Sequence, residues 1–144
     1  MLPRWLILLA LPALAQDAKT VIKDEAAKKL LLGEHKLSLQ WLDKAPGKAI
    51  VIERNGTLSL NGEAKEQKGP GLVRIDGVVT EVAAKTFKFR GTIVTQVSYL
   101  NGGKPCERKG DFDFLIKGPR AFWRMQQMDN PCDQAADYVD IYWK

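Results

Sequence analysis

The sequence predicts a mostly β protein, a small antiparallel barrel of about eight short strands with one N-terminal amphipathic helix. Three observations support this prediction. Apolar and polar residues alternate with period two through most of the chain after residue 34. Turn signals rich in Gly, Pro, Asn and Asp recur roughly every 8–12 residues. Glycines at positions 91 and 110 interrupt strand patterns, as glycines do where barrel strands bend.

Residues 1–15 have the pattern of a secretory signal peptide. Arg4 is the positive residue, Trp5–Leu11 is the apolar run, and a small-residue Ala-Leu-Ala site precedes Gln16. The apolar run is much shorter than the roughly 20 residues that a spanning helix needs. We therefore expect a periplasmic or secreted protein whose mature part, residues 16–144, is a single domain without a transmembrane segment.

A helix is predicted over residues 17–33, where apolar residues recur at helical spacing. Thr20 is the expected N-cap and Gly33 the expected C-cap. The apolar stripe contains no aromatic residue, which favours packing against the domain over binding to a membrane surface or a partner.

Short strands are expected from residue 34 onward. Turns are predicted at Arg54-Asn55-Gly56, at Asn61-Gly62 and at Asp76-Gly77, and residues 63–71 read as an exposed loop. The strand candidates before residue 86 are Leu37–Trp41, Lys48–Glu53, Thr57–Leu60, Leu72–Ile75 and Val78–Val82.

The strongest signal is a long hairpin over Thr86–Lys117, which turns at Asn101-Gly102. Aligning its two apolar faces predicts three cross-strand pairs: Phe112 with Gly91, Phe114 with Phe89, and Gly110 with Ile93. Tyr99 falls on the apolar face of the first arm. Two further strands, over residues 121–128 and 138–143, flank a loop that contains Cys132.

Cys106 and Cys132 are the only cysteines, and both lie in the part expected to be exported. An even number in an oxidising compartment predicts a disulfide, which would stabilise the fold by about 3.5 kcal/mol through loop closure. Their spacing is unlike C-x-x-C, and one histidine cannot complete a zinc set with them. We therefore expect no metal site and no cofactor.

The charge balance argues against a nucleic-acid partner. The formal net charge is +5, and because Arg4 is the one charged residue among residues 1–15, the mature chain carries +4. The basic residues are dispersed among acids and form no dense patch of the kind that binds nucleic acid.

No catalytic constellation is apparent, and we expect a protein that is not an enzyme. His35 is the single histidine and is predicted to be solvated between Glu34 and Lys36. A hydrolase that used His35 with a serine would need a nucleophile motif that the sequence does not show.

Binding is the function that the sequence favours. Arg108 and Arg124 interrupt apolar strand faces, and Trp123 and Tyr142 supply aromatic surface near the disulfide. Arginines and aromatic rings together can line a pocket for a small amphipathic or anionic ligand inside the barrel. The alternative is a filled barrel that binds an envelope protein, or serves a structural role, through an outer strand face.

The general plan of an exported antiparallel barrel with one helix and one disulfide resembles calycin-type barrels. The residues depart from the lipocalin G-x-W signature, because Leu39 stands where the motif has glycine before Trp41. The resemblance implies a barrel and no particular ligand.

Overall fold

The computed structural model describes residues 18–143, so the predicted signal peptide lies outside the described residues. One α-helix, α1, spans Glu25–Leu31, and a short 3-10 helix spans Asn101–Gly103. The strands are β1 (Val21–Ile22), β2 (Gly33–Leu39), β3 (Gly47–Arg54), β4 (Thr57–Lys65), β5 (Leu72–Val82), β6 (Thr86–Gln96), β7 (Cys106–Leu115), β8 (Phe122–Met125) and β9 (Val139–Tyr142).

Eight antiparallel strands, β2 to β9, form a closed barrel. Their order around the barrel is β5-β4-β3-β2-β9-β8-β7-β6, and the pairing of β5 with β6 closes the ring. The two residues of β1 are not part of the ring and pair in parallel with Glu81 and Val82 of β5. The prediction of a mostly β antiparallel barrel with one helix is confirmed.

The helix is shorter than predicted and begins later. Asp24, not Thr20, is the N-cap, and its carboxylate accepts a hydrogen bond from the backbone N–H of Ala27 at 2.8 Å. The Thr20 hydroxyl instead donates to the Val79 carbonyl at 2.6 Å and is buried. The predicted C-terminal end of the helix is closer to the observed one, because Gly33 follows the C-cap residue Leu32 with a φ of +100°.

Two predicted turns were wrong, because Asn61-Gly62 lies inside β4 and Asp76-Gly77 lies inside β5. These glycines permit close strand packing. A Cβ at Gly62 would lie 2.6 Å from the Lys48 carbonyl oxygen, and one at Gly77 would lie 2.3 Å from the Arg90 carbonyl oxygen. β4 and β5 are therefore longer than predicted, and β5 has 11 residues, whereas β8 and β9, predicted over residues 121–128 and 138–143, are shorter, with four residues each.

The central hairpin forms with a register two residues away from the predicted one. The observed pairs are Phe89 with Phe112, Phe87 with Phe114, Gly91 with Gly110, and Ile93 with Arg108. A slip of two keeps the same residues inside, so the apolar pattern alone could not exclude it. The strand β6 also ends at Gln96, so the connection runs through a longer loop in which Asn101 has a φ of +53°.

The core lies inside the barrel, and α1 covers one end of it with Ala27 and Leu31. We call this end the helix end. The loops over residues 40–46, 66–71, 97–105 and 126–138 meet at the opposite end, which we call the loop end. The disulfide between Cys106 and Cys132 joins the start of β7 to the last of these loops, with a Cα–Cα distance of 6.0 Å.

Candidate functional site

The interior of the barrel is filled by apolar side chains, and aromatic rings contribute much of the filling. Phe87 stacks on Phe114 with ring centroids 4.7 Å apart, and Trp123 meets Phe87 edge to face at 5.6 Å. Trp123 is only 2% exposed. The structure therefore places Trp123, one of the four predicted binding residues, within the core rather than at a surface.

Arg124 lies on the outer face of β8, where it forms a partly buried ion pair with Asp140 of β9. Its guanidinium donates two hydrogen bonds to the Asp140 carboxylate, at 2.8 and 2.9 Å. The side chains are 20% and 6% exposed. The hydrogen bond to Asp140 raises the pKa of the Arg124 guanidinium above its ordinary value. The charge of Arg124 is therefore neutralised within the fold.

Aromatic rings enclose this ion pair. The Arg124 guanidinium lies 4.0 Å from the centroid of the Tyr138 ring and 5.1 Å from that of Phe122. Phe122 in turn packs against Tyr142 at 5.0 Å. The structure thus brings Arg124 and Tyr142, two of the predicted binding residues, to the outer face of the barrel on either side of Phe122.

A shallow cavity of about 210 Å³ opens beside the ion pair. Two exposed cations, Lys117 and Arg120, line it together with Phe122, Arg124 and Tyr138. We call these five residues the cationic patch. Within residues 18–143 neither Lys117 nor Arg120 forms an ion pair. Sequence reasoning missed both, because they flank a Gly-Pro turn and belong to no strand pattern.

Arg108 lies away from the cationic patch and closes a gap in the barrel wall. The pairing of β7 with β8 covers only Phe114 and Leu115 of β7. Beyond it, the Arg108 guanidinium donates to the carbonyls of Gln127 and Asp129, at 2.7 and 3.4 Å. Burial lowers the pKa of the Arg108 guanidinium, an effect that nearby carboxylates oppose. The Arg108 side chain thus links β7 to the segment after Gln126, whose backbone N–H makes the last backbone hydrogen bond to β7, at Asp113.

A buried polar network holds the loop that contains Cys132. Asn130 is its centre: the side-chain amide donates to Asp137 Oδ2 at 2.8 Å and to Thr95 Oγ1 at 3.3 Å. Its Oδ1 atom accepts from the Cys132 backbone N–H at 2.7 Å. Burial raises the pKa of the Asp137 carboxyl, partly offset by the hydrogen bond from Asn130. The disulfide prediction is confirmed, and this network adds to its constraint on the loop.

His35 is not the solvated surface residue that the sequence predicted, because it is only 7% exposed. Its Nδ1 atom lies 3.0 Å from the Tyr142 carbonyl oxygen, and its Nε2 atom lies 2.5 Å from the Leu31 carbonyl oxygen. The ring also meets Trp123 edge to face at 5.8 Å. The prediction failed because the alternation of β2 turns His35 inward, between α1 and β9.

A second cavity, of about 450 Å³, opens at the loop end. Trp41 and Tyr99 form its aromatic side, with ring centroids 6.4 Å apart and nearly perpendicular planes. Tyr99 was predicted to face the core, but it lies beyond the end of β6 and is 64% exposed. The prediction failed because β6 ends at Gln96, which the sequence pattern does not show, so Tyr99 does not follow the alternation of the strand.

Two kinds of feature are absent from the part of the chain that the structure describes. Over residues 18–143 no helix has the length and apolar character needed to cross a membrane. Over the same residues no group of three or more His, Cys, Asp or Glu side chains could hold a metal ion.

Comparison with known proteins places this architecture in one family. The model of the PM1083 family matches residues 19–143, which include the whole barrel. A protein of Pasteurella multocida (strain Pm70), named "Uncharacterized protein PM1083", is 39% identical over 114 residues, which cover 78% of this chain and 73% of the relative. Neither name states a ligand or a reaction, and no solved structure matches. The chain therefore belongs to the PM1083 family.

Proposed function

We propose that this protein is an exported, non-catalytic binding module that holds an acidic segment of an envelope protein on the outside of a filled barrel. The observation that carries the proposal is the cationic patch, where two exposed cations without ion-pair partners in the described chain adjoin aromatic rings. The filled interior supports an outer surface over a ligand inside the barrel, because Trp123 and the phenylalanine rings occupy the space that such a ligand would need.

The members of the cationic patch have different roles in this proposal. Arg124 is a positioning residue, because its charge is already used by Asp140 and its guanidinium orients the rings of Phe122 and Tyr138. Lys117 and Arg120 provide the charge that attracts a carboxylate-rich segment. The Arg120 guanidinium lies 5.7 Å from the Phe122 centroid, so a bound carboxylate would meet a cation held over an apolar ring.

Export is part of the proposal. The signal-peptide pattern over residues 1–15 supports it, and so does the disulfide between Cys106 and Cys132, since such bonds persist in oxidising compartments. The resemblance to calycin-type barrels remains a prediction at the level of fold.

The absence of catalysis is also proposed. His35 is the single histidine in the sequence, and both of its ring nitrogens face backbone carbonyl oxygens. Neither nitrogen is then available to accept a proton from a substrate or a nucleophile.

Titration with a fluorescent peptide of about ten glutamates tests the proposed surface. We expect a Kd in the micromolar to millimolar range that weakens as salt rises, because exposed charges are screened. Lys117→Glu/Arg120→Glu should weaken binding at least tenfold, whereas Arg54→Glu/Lys65→Glu, an equal charge change at exposed positions of β3 and β4, should weaken it by less than threefold. Equal loss in the two double variants would refute the assignment, since non-specific attraction depends only on net charge.

A further inference from the structure

The cavity at the loop end is a second candidate binding site, distinct from the cationic patch. Residues from three separated loops line it, so the barrel brings them together from distant parts of the sequence. Its lining includes Trp41, Lys44, Glu66, Gln67, Ser98 and Tyr99. The volume of about 450 Å³ falls within the range of roughly 300–1,000 Å³ typical of ligand sites.

The aromatic side of this cavity is held in place before any ligand arrives. The Tyr99 hydroxyl donates to the Trp41 backbone carbonyl at 2.9 Å. The Trp41 indole N–H lies 3.2 Å from both the Ala136 carbonyl oxygen and Asp137 Oδ1. Each ring has therefore used its polar atom inside the protein, while Tyr99 remains 64% exposed. An immobilised aromatic ring that faces water is a preformed stacking surface.

The opposite wall of the cavity, formed by the 66–71 loop, is also held by hydrogen bonds. Glu66 accepts from the backbone N–H groups of Asp43 and Gly71, at 2.8 and 3.0 Å. Two backbone hydrogen bonds, Glu66 to Gly71 and Gln67 to Lys44, join the 66–71 loop to itself and to the 40–46 loop. These hydrogen bonds brace the 66–71 loop in the absence of strand pairing.

The chemistry of the lining selects an uncharged, polyhydroxylated ligand. Asp43 and Glu66 carry two negative charges and Lys44 and Lys68 carry two positive charges, so the four charged residues of the lining balance. A strongly anionic or cationic ligand gains little from such a surface. Side-chain amide, hydroxyl, carboxylate and ammonium groups do offer both donors and acceptors around the aromatic rings.

We propose that this cavity binds an uncharged saccharide. A pyranose ring has an apolar C–H face, which would stack on the exposed Tyr99 ring, and a rim of hydroxyl groups that both donate and accept. The rim would meet the polar side chains of Gln67, Ser98 and the neighbouring charged residues. A neighbouring Trp41 ring nearly perpendicular to Tyr99 would contact the edge of the same sugar unit.

Nuclear magnetic resonance titration of the ¹⁵N-labelled protein tests the proposal. The probes are cellotetraose and the tetramer of N-acetylglucosamine, each added up to about 10 mM, enough to detect a millimolar Kd. We expect at least one probe to cause saturable shifts of the Trp41 indole N–H and of the backbone of the 66–71 loop. If neither probe shifts these signals, the proposal is overturned.

Two variants at one position separate stacking from a structural effect. Tyr99→Phe keeps the stacking ring but loses the hydrogen bond that holds it at Trp41, so the Kd should rise only slightly, by less than about threefold. Tyr99→Ala removes the stacking surface from an exposed loop and should raise the Kd at least tenfold. Lys117→Glu/Arg120→Glu should leave saccharide binding unchanged. Retained binding in Tyr99→Ala, or tighter binding of an acidic uronate tetramer than of either probe, would overturn the proposal.

Discussion

Replacing Arg124 with Met tests whether this arginine is a positioning residue for the cationic patch. The substitution keeps most of the aliphatic side chain and removes the guanidinium. The Asp140 carboxylate, whose side chain is 6% exposed, would lose two hydrogen bonds of 2.8 and 2.9 Å. It would then be a buried charge without its partner.

The expected cost follows from this burial. Removing one partner of a buried ion pair costs about 3–5 kcal/mol. The Arg124 side chain is 20% exposed, so some water can reach the site and the lower end of the range applies. We expect the free energy of unfolding of Arg124→Met to fall by about 3 kcal/mol, with a decrease in Tm on the order of 10 °C.

Replacing the other partner, Asp140, should lower the free energy of unfolding by less. In Asp140→Leu the arginine stays over the Tyr138 ring and can extend its guanidinium towards water, so the expected cost is about 1 kcal/mol. In the double variant no charge is buried, and we expect a cost close to that of Asp140→Leu alone. Urea unfolding of the wild type and the three variants, followed by tryptophan fluorescence, completes the double-mutant cycle.

Two results would refute this reasoning. If Arg124→Met costs no more than Asp140→Leu, the carboxylate is not buried as described. If the two single costs add in the double variant, the residues do not interact, and Arg124 has its charge free for a ligand.

Three further predictions concern stability. Gly91→Ala should lower the free energy of unfolding by about 3 kcal/mol, because the added Cβ would lie 2.7 Å from the Gly77 Cα atom. If the variant unfolds at the same urea concentration as the wild type, the described strand packing is contradicted. Burial raises the pKa of the Asp137 carboxyl, so the native state binds the carboxyl proton more tightly than the unfolded state. The protonated carboxyl therefore contributes fully to stability below the ordinary pKa, and this contribution is lost as pH rises through the raised pKa. Asp137→Asn should therefore be more destabilising near pH 4 than near pH 7, and a pH-independent difference in urea unfolding would contradict this assignment. Replacing Cys106 and Cys132 with Ser should cost about 3.5 kcal/mol, and a wild type whose urea midpoint does not respond to reductant would argue against the disulfide.

The fold class could be predicted because period-two alternation reports which side of a strand faces the core. The same pattern leaves the hairpin register undetermined by two residues, since Phe112 stays inside whether it faces Gly91 or Phe89. The turn predictions at Gly62 and Gly77 were wrong for a related reason: Asn-Gly and Asp-Gly also occur where strands approach closely, and only the neighbouring backbone shows which case applies.

The candidate site was predicted only in part. Arg124 and Tyr142 are neighbours of Phe122 on the outer face, as their strand positions allow, but the pairing of β8 with β9 that brings them together is not visible in the sequence. Lys117 lies near them in a turn, and a turn has no hydrophobic periodicity from which its position could be predicted. Tyr99 could not be assigned without knowing where β6 ends.

Native mass spectrometry of the protein purified gently from the cells that produce it tests the central claim most directly. With the proposed cleavage before Gln16, a filled barrel that binds partners on its outside predicts the mass of the bare chain from Gln16 onward, reduced by the two hydrogens that the disulfide removes. Additional mass that persists in the native spectrum, leaves on denaturation and is unchanged both in Lys117→Glu/Arg120→Glu and in Tyr99→Ala would show a ligand held inside the barrel and contradict the account.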